Sequence, residues 1–591
     1  MNRFACFVLF SCTLLAPFIT AASAQVAIQQ PKTDDSMSRL DEIAHKVDAG
    51  PVSVSKEVKV VVEADKPRGV MMPWTKGVHT LASDSHLTDS AVVALLRGAG
   101  MTTLRYPGGR IADTFHWSTY APSNWQGLNH PNVGYAPAGN LGSFLRFMEQ
   151  VGTAIFTVNY GSNLRGNGGG EPAEAAAWVA YVNGDPADAK AIGKDSTGND
   201  WQTVGYWASL RASAPLATDD GKNFLRIQHP APFQIRFWEI GNQVYQNGYY
   251  GGEGLEEDAH APYPETAADN EKSRKKNPSL SPAAYAKNFL EFARAMKAVD
   301  PKIHLGVPLN PSFMGQVTRQ EWTKDMITGK YVNTNPTVSV DKDFGFAADW
   351  AKGVLGTACN DVDFVSLPLY AGDTTAESGY KDLDSYKLLT APQGSLAQIL
   401  GSVGDQIQKS CGQRARNILV AIGEAGPIPW AKVTEPVAVG LFAADVYVTL
   451  SEYRVINVDW AELHSGGFLD DTNKPGPAYF GAQMAFALMN FNDALLTTSS
   501  TSPVLTVHAS KRADGSIGIM LINKDGKNPT TVKISLKGAT PAAKGARFDY
   551  GATNLPQGDS IMGKPMDGLG TSFSVPMPPY TATVILIPKA Q

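Results

Sequence analysis

An α/β chain built as a (β/α)8 barrel, with a C-terminal β-sandwich completed by an N-terminal strand, is the architecture that three observations predict. From Trp74 to about residue 470, short apolar runs alternate with helical patterns, as repeated βα units and a parallel sheet require. Beyond about residue 480 the helical periodicity gives way to strands separated by Gly, Asp and Pro turns. Ahead of the barrel, Val52, Val54, Val58, Val60 and Val62 share one parity, the period of a half-buried antiparallel strand.

Taken in order, the chain opens with Arg3 ahead of an apolar run from Phe4 to Ala22 and a small-x-small site at Ala22-Ser23-Ala24. This reads as a secretory signal over 1–24, which predicts a secreted or periplasmic protein with no membrane association after cleavage. Residues 25–50 are polar and patternless and read as a flexible lead; 51–66 hold the strand that joins the sandwich, 67–480 the barrel and 481–591 the sandwich. The eight barrel strands are expected near 77–79, 103–106, 154–158, 236–240, 304–307, 363–367, 418–422 and 455–460. Between them, Tyr285, Phe289, Phe292, Ala293 and Met296 recur at helical spacing behind a Ser281 cap. Sandwich strands are expected at 504–509, 517–523, 531–536 and 582–587.

The composition narrows the function. Fifty-one basic against 56 acidic residues give a formal net charge of -5, with no Lys/Arg cluster interleaved with aromatics, so nucleic acid is not an expected partner. No His-x-x-His helix, zinc-spaced Cys pair or P-loop occurs, so neither a metal nor a cofactor is expected. Cys6 and Cys12 leave with the signal, and Cys359 and Cys411 can either pair or remain separate buried thiols. Oligomeric state is not readable.

In a parallel barrel, chemistry sits at the C-terminal ends of the strands and in the loops after them. After the second strand stand Arg105 and Tyr106-Pro107-Gly108-Gly109-Arg110, followed by Asp113; after the fourth, Gly241-Asn242-Gln243; after the seventh, Gly423-Glu424-Ala425-Gly426. Glu424 closes a buried apolar strand, where a carboxylate is costly unless it faces a cleft or pairs with an arginine. These segments, with Ala175-Ala176-Ala177-Trp178-Val179-Ala180-Tyr181 and Gly205-Tyr206-Trp207-Ala208-Ser209-Leu210-Arg211, resemble the retaining glycoside hydrolases of the large (β/α)8 clan, and most of all the family-51 α-L-arabinofuranosidases. The resemblance covers most of residues 74–490. It implies an oligo- or polysaccharide substrate, Glu424 as nucleophile, Asn242 on the sugar hydroxyl next to the anomeric carbon, and Arg105 bracing the nucleophile or touching the sugar. Tyr370 resembles the family's active-site tyrosine, and Trp460 is placed either as an aromatic floor for the sugar or as core.

Three positions depart from that pattern. The family's fourth strand ends in Gly-Asn-Glu, whose Glu is the acid/base, and here the residue is Gln243; Arg110 stands where Asn is usual and Pro368 where His is usual. An amide cannot release a proton, so Gln243 can orient a glycosidic oxygen but cannot serve as general acid, a role typically worth 10² to 10⁴ in rate. The sequence therefore leaves open a substrate whose leaving group needs no proton, a replacement acid, or a catalytically silent carbohydrate-binding protein. Glu253, Glu256, Glu257, Asp258 and His260 follow Gln243, but that stretch reads first as a solvated acidic loop. Arg110 raises the possibility of a carboxylated sugar.

Overall fold

The computed structural model describes residues 57–119, 136–251, 256–263, 267–310, 322–324, 331–333, 346–371, 382–428, 432–464, 466–556 and 558–590. The expected signal, the flexible lead, Val52, Val54 and Glu253 lie outside them.

Eight parallel strands close into a barrel: Lys76–His79, Thr103–Tyr106, Thr153–Val158, Phe237–Ile240, His304–Pro308, Phe364–Ala371, Leu419–Pro427 and Asn457–Trp460. They neighbour one another in chain order, and the eighth returns to pair with the first. All eight fall where the alternation predicts them. Helices cover the outside, and Pro282–Val299 shows why they form: proline opens the first turn, the Ser281 hydroxyl accepts from the Ala284 amide, and Tyr285, Phe289, Phe292 and Met296 lie buried on one stripe.

Successive strand residues point to opposite faces, so alternate positions line the interior. At the N-terminal end the lining is apolar, with Ile155, Phe237, Phe364, Ala421 and Ile456 forming a separate small cluster. Two residues further along three of these strands, the same face becomes polar at Thr157, Glu239 and Ser366, all buried, and Arg105 and Asp459 are buried with them. Small residues make room for this layer. A Cβ on Gly423 would stand 2.9 Å from Arg105 Nε and 3.0 Å from Ser366 Oγ, and one on Gly77 would meet the Asp459 carboxylate.

The sandwich is one nine-stranded sheet folded on itself, in the order Lys564–Asp567, Lys544–Gly551, Thr581–Ile587, Ile517–Asn523, Leu505–Lys511, Ala494–Ser500, Glu57–Val70, Thr530–Lys537, Ser572–Met577. The N-terminal strand joins it as expected, but with mixed pairing, antiparallel to Ala494–Ser500 and parallel to Thr530–Lys537. Strand Ile517–Asn523 is buried throughout because both of its faces are covered. Ile517, Ile519 and Leu521 enter the sandwich core, whereas Met520 and Ile522 join the cluster shared with the barrel helices Pro436–Glu452 and Pro477–Leu488.

A charged knot lies in this contact: Asp445 on the first of those helices meets His508 Nε2 at 2.8 Å and Lys524 Nζ at 2.9 Å, while Glu452 meets His508 Nδ1 at 2.8 Å. Cys359 and Cys411 are joined, tying the end of helix Phe346–Ala358 to the end of helix Ala397–Cys411. Among the described residues no helix is long and apolar enough to cross a membrane.

Candidate active site

The polar layer ends at the C-terminal mouth of the barrel in a cluster centred on Arg105, whose side chain is 2% exposed. Its Nε and Nη2 donate to Glu239 Oε2 at 3.0 and 2.7 Å, and Nη2 also donates to Asn242 Oδ1 at 2.9 Å. Nη1 reaches Glu424 Oε1 at 3.2 Å and His79 Nε2 at 3.2 Å. Burial disfavours the guanidinium charge, but Glu239 and Glu424 outweigh it and raise the pKa. Burial, and then Arg105, hold His79 well below its ordinary value. A neutral imidazole beside an arginine donor must accept at Nε2, which places its proton on Nδ1.

Glu424 is the carboxylate on which the donors converge. The strand pairing shifts register after Ile422 on both sides of the seventh strand, before Glu424 on one side and before Ala425 on the other, and such a bulge re-aims a side chain out of the ladder. Tyr370 Oη donates to Glu424 Oε2 at 2.6 Å, and Gln243 Nε2 donates to the same oxygen at 3.3 Å. Burial first, and Glu424 second, push the Tyr370 phenol well above its ordinary pKa, so it stays a donor.

Gln243 occupies the left-handed region at φ 39°, an uncommon conformation for a residue with a Cβ. Its Oε1 accepts from Tyr245 Oη at 3.2 Å and Gln246 Nε2 at 2.5 Å, which turns the Nε2 toward Glu424. Gly241, at φ 77°, admits the turn because a Cβ there would stand 2.5 Å from Val244 and 2.9 Å from Tyr160. Asp113 fixes the turn from below, its carboxylate accepting the backbone amides of Asn242 at 2.9 Å and Tyr160 at 3.0 Å.

The structure thus brings together Arg105, Asn242, Gln243, Tyr370 and Glu424. Arg110 is exposed at the rim. Trp460 has no exposed surface: its indole N–H donates to the Gly466 carbonyl at 2.8 Å and its ring packs against Phe442, so it is core and offers no open floor to a sugar. Pro368 lies beside Glu424 on the neighbouring strand.

Sequence reasoning did not single out Glu239, His79 or Asp459. The signal for Glu239 was present, since a carboxylate inside the apolar run Phe237-Trp238-Glu239-Ile240 demands a cationic partner, and Arg105 inside Thr103-Leu104-Arg105-Tyr106 demands an anionic one. The acidic stretch after Gln243 is not the solvated loop expected. Glu256, Glu257 and Asp258 are 2%, 1% and 1% exposed, because the segment folds back over the barrel mouth, with the Ala259 amide on the Gly161 carbonyl at 2.6 Å.

No family model matches the chain. It is 26% identical over 228 residues to the probable α-L-arabinofuranosidase C of Aspergillus fumigatus, a stretch that makes up 38% of this chain and 32% of that protein. The match thus spans about a third of the relative's length. Among solved structures, the α-L-arabinofuranosidase of Thermotoga maritima in its arabinose complex superposes over 90% of this chain and 100% of that one, with a TM-score of 0.62 at 18% identity. The GH51 α-L-arabinofuranosidase of Thermotoga petrophila gives 0.61 at 18% identity, over 90% of this chain and 99% of that one. The chain shares the fold of these enzymes.

Proposed function

We propose that this chain is an exported, retaining glycoside hydrolase of arabinofuranosidase type, acting on the glycosidic bonds of oligo- or polysaccharides with Glu424 as nucleophile. The observation that carries the reading is the convergence of Arg105, Tyr370 and Gln243 on one carboxylate at the end of the seventh strand. Three donors hold Glu424 in one rotamer and aim it into the mouth, which is the positioning a nucleophile needs. The named relatives support arabinofuranose as the sugar.

In this reading a Glu424 oxygen attacks the anomeric carbon as the glycosidic bond breaks, forming a glycosyl ester. Asn242, braced by Arg105, meets the neighbouring sugar hydroxyl. Water, or an acceptor sugar in a transfer reaction, then releases the ester with net retention of configuration. Gln243 orients oxygens at the departing side but supplies no proton.

A second reading, a carbohydrate-binding protein without turnover, is favoured by Gln243 alone. The test is a panel of dinitrophenyl glycosides, including the α-L-arabinofuranoside, whose leaving groups need no protonation. A hydrolase releases dinitrophenolate catalytically, or with azide as the attacking anion. A binding protein releases none, and binding of the sugars without release would overturn the proposal.

A further inference from the structure

We propose that Glu256, carried over the barrel mouth by the segment that follows the fourth strand, donates the proton that Gln243 cannot. The inference rests on the hydrolase reading above.

Glu256 is 2% exposed, and its Oε2 is enclosed without a hydrogen-bond partner. A carboxyl oxygen in that state is costly unless a second molecule completes its bonding, as a glycosidic oxygen would. The groups that act on Glu256 are those of the site: Asp113, Arg110, Glu424 and Asn242, with Tyr245 also near enough to feel its charge. Thus a carboxyl whose Oε2 lacks a partner stands beside Asn242, and its backbone is tied to Gln246, whose side chain bonds Gln243 Oε1.

The segment is fixed rather than loosely draped. The Glu256 amide bonds the Gln246 carbonyl at 3.3 Å, Asn247 Nδ2 meets Asp258 Oδ2 at 2.8 Å, and Arg274 ties the Asn247 and Asp258 carbonyls at 2.7 and 2.8 Å. Glu257 has different surroundings, interacting with Tyr263 and Arg274.

The protonation state agrees with the geometry. Burial first, then Asp113 and Glu424, push the Glu256 carboxyl well above its ordinary pKa, against the smaller opposing pull of Arg110 and Asn242. It therefore enters the reaction as the acid. Its proton passes to the glycosidic oxygen while the C–O bond breaks and Glu424 bonds the anomeric carbon. In the second step the Glu256 carboxylate takes a proton from water as the oxygen of that water displaces Glu424. Charge and atoms are restored after each cycle, and the two carboxyls exchange no roles.

The experiment compares dinitrophenyl and methyl α-L-arabinofuranosides on the full protein. In Glu256→Gln, kcat/KM for the methyl glycoside should fall 10² to 10⁴-fold, the span of general acid catalysis, while dinitrophenolate release in the first turnover stays within a few-fold. The alkaline limb of the methyl-glycoside profile, set by Glu256 losing its proton, should vanish in the variant. Glu256→Ala should regain dinitrophenyl turnover with azide, yielding the azide of retained configuration. Gln243→Glu should restore methyl-glycoside hydrolysis to Glu256→Gln. Unchanged methyl-glycoside hydrolysis in Glu256→Gln, or an equal loss on both substrates without rescue by azide or by Gln243→Glu, overturns the assignment while leaving the hydrolase reading intact. A parent protein that forms no glycosyl ester overturns both.

Discussion

Replacing Arg105 by methionine isolates the interaction that organises the barrel mouth. The side chain keeps its length but loses every donor: two bonds to Glu239, at 3.0 and 2.7 Å, one to Asn242 at 2.9 Å, and one each to Glu424 and His79 at 3.2 Å. Glu239 is then left with the Thr157 hydroxyl at 2.9 Å in a site that is 2% exposed. Breaking a buried ion pair from one side costs about 3 to 5 kcal/mol, because the surviving charge has no compensation. Removing both members and filling the space with apolar atoms is close to neutral. Arg105→Met should therefore cost about 3 to 5 kcal/mol in urea unfolding followed by tryptophan fluorescence, and Arg105→Met with Glu239→Leu should recover about 2 to 3 kcal/mol of that loss. Additive single costs, or an Arg105→Met loss below about 1 kcal/mol, would refute the reasoning, since either would mean that solvent reaches the layer.

Other outcomes follow from the same contacts. Burial alone would lower the pKa of His508, but Glu452 and Asp445 lift it to about 9. A group raised in the fold contributes fully below its unfolded value near 6.5 and loses that contribution as pH rises through about 9, so stability should fall by about 3 kcal/mol across that window and stay nearly flat in His508→Gln. Tyr370→Phe removes the 2.6 Å bond to Glu424. A hydrogen bond to a charged group is worth about 1.5 to 3 kcal/mol, so kcat/KM on the dinitrophenyl arabinofuranoside should drop about 10 to 100-fold with little change in Tm. Reduction of Cys359–Cys411, which are 52 residues apart, should cost about 4 kcal/mol in the chain-entropy picture and be read as a lower urea midpoint under reductant.

The barrel was legible because its pattern repeats: each of the eight strands is a short apolar run followed by helical spacing, and each was expected within a few residues of where it lies. The sandwich was less so. Ala494–Ser500, Lys544–Gly551 and Lys564–Asp567 escaped because Thr, Ser, Lys, Gly and Asp interrupt their apolar pattern, whereas Ser572–Met577 was missed although Phe573, Val575 and Met577 alternate into the sandwich core. Glu57–Val70 runs past the expected end because irregular register around Pro67 lets pairing with Ala494–Ser500 continue.

At the site, strand-end position led to the segments that hold Glu424 and Asn242, the resemblance singled out Asn242 within its segment, and the structure brings both to Arg105. Glu256 was not legible in this way. Its surface-loop composition gives no hint that Arg274, 18 residues later, ties the Asp258 carbonyl and helps hold the segment over the mouth. Trp460 was left between two readings, since a tryptophan ending a barrel strand has the same sequence signature whether it faces a sugar or the helices, and the structure places it in the core.

The central claim, that Glu424 attacks the anomeric carbon, is tested most directly by intact-mass analysis of the protein quenched during reaction with 2,4-dinitrophenyl α-L-arabinofuranoside, followed by peptide mapping. The account predicts the mass increase of one arabinofuranosyl group on the peptide containing Glu424, absent from Glu424→Ala and discharged by azide. Dinitrophenolate release with the adduct on another residue, or unaltered release by Glu424→Ala, would contradict it.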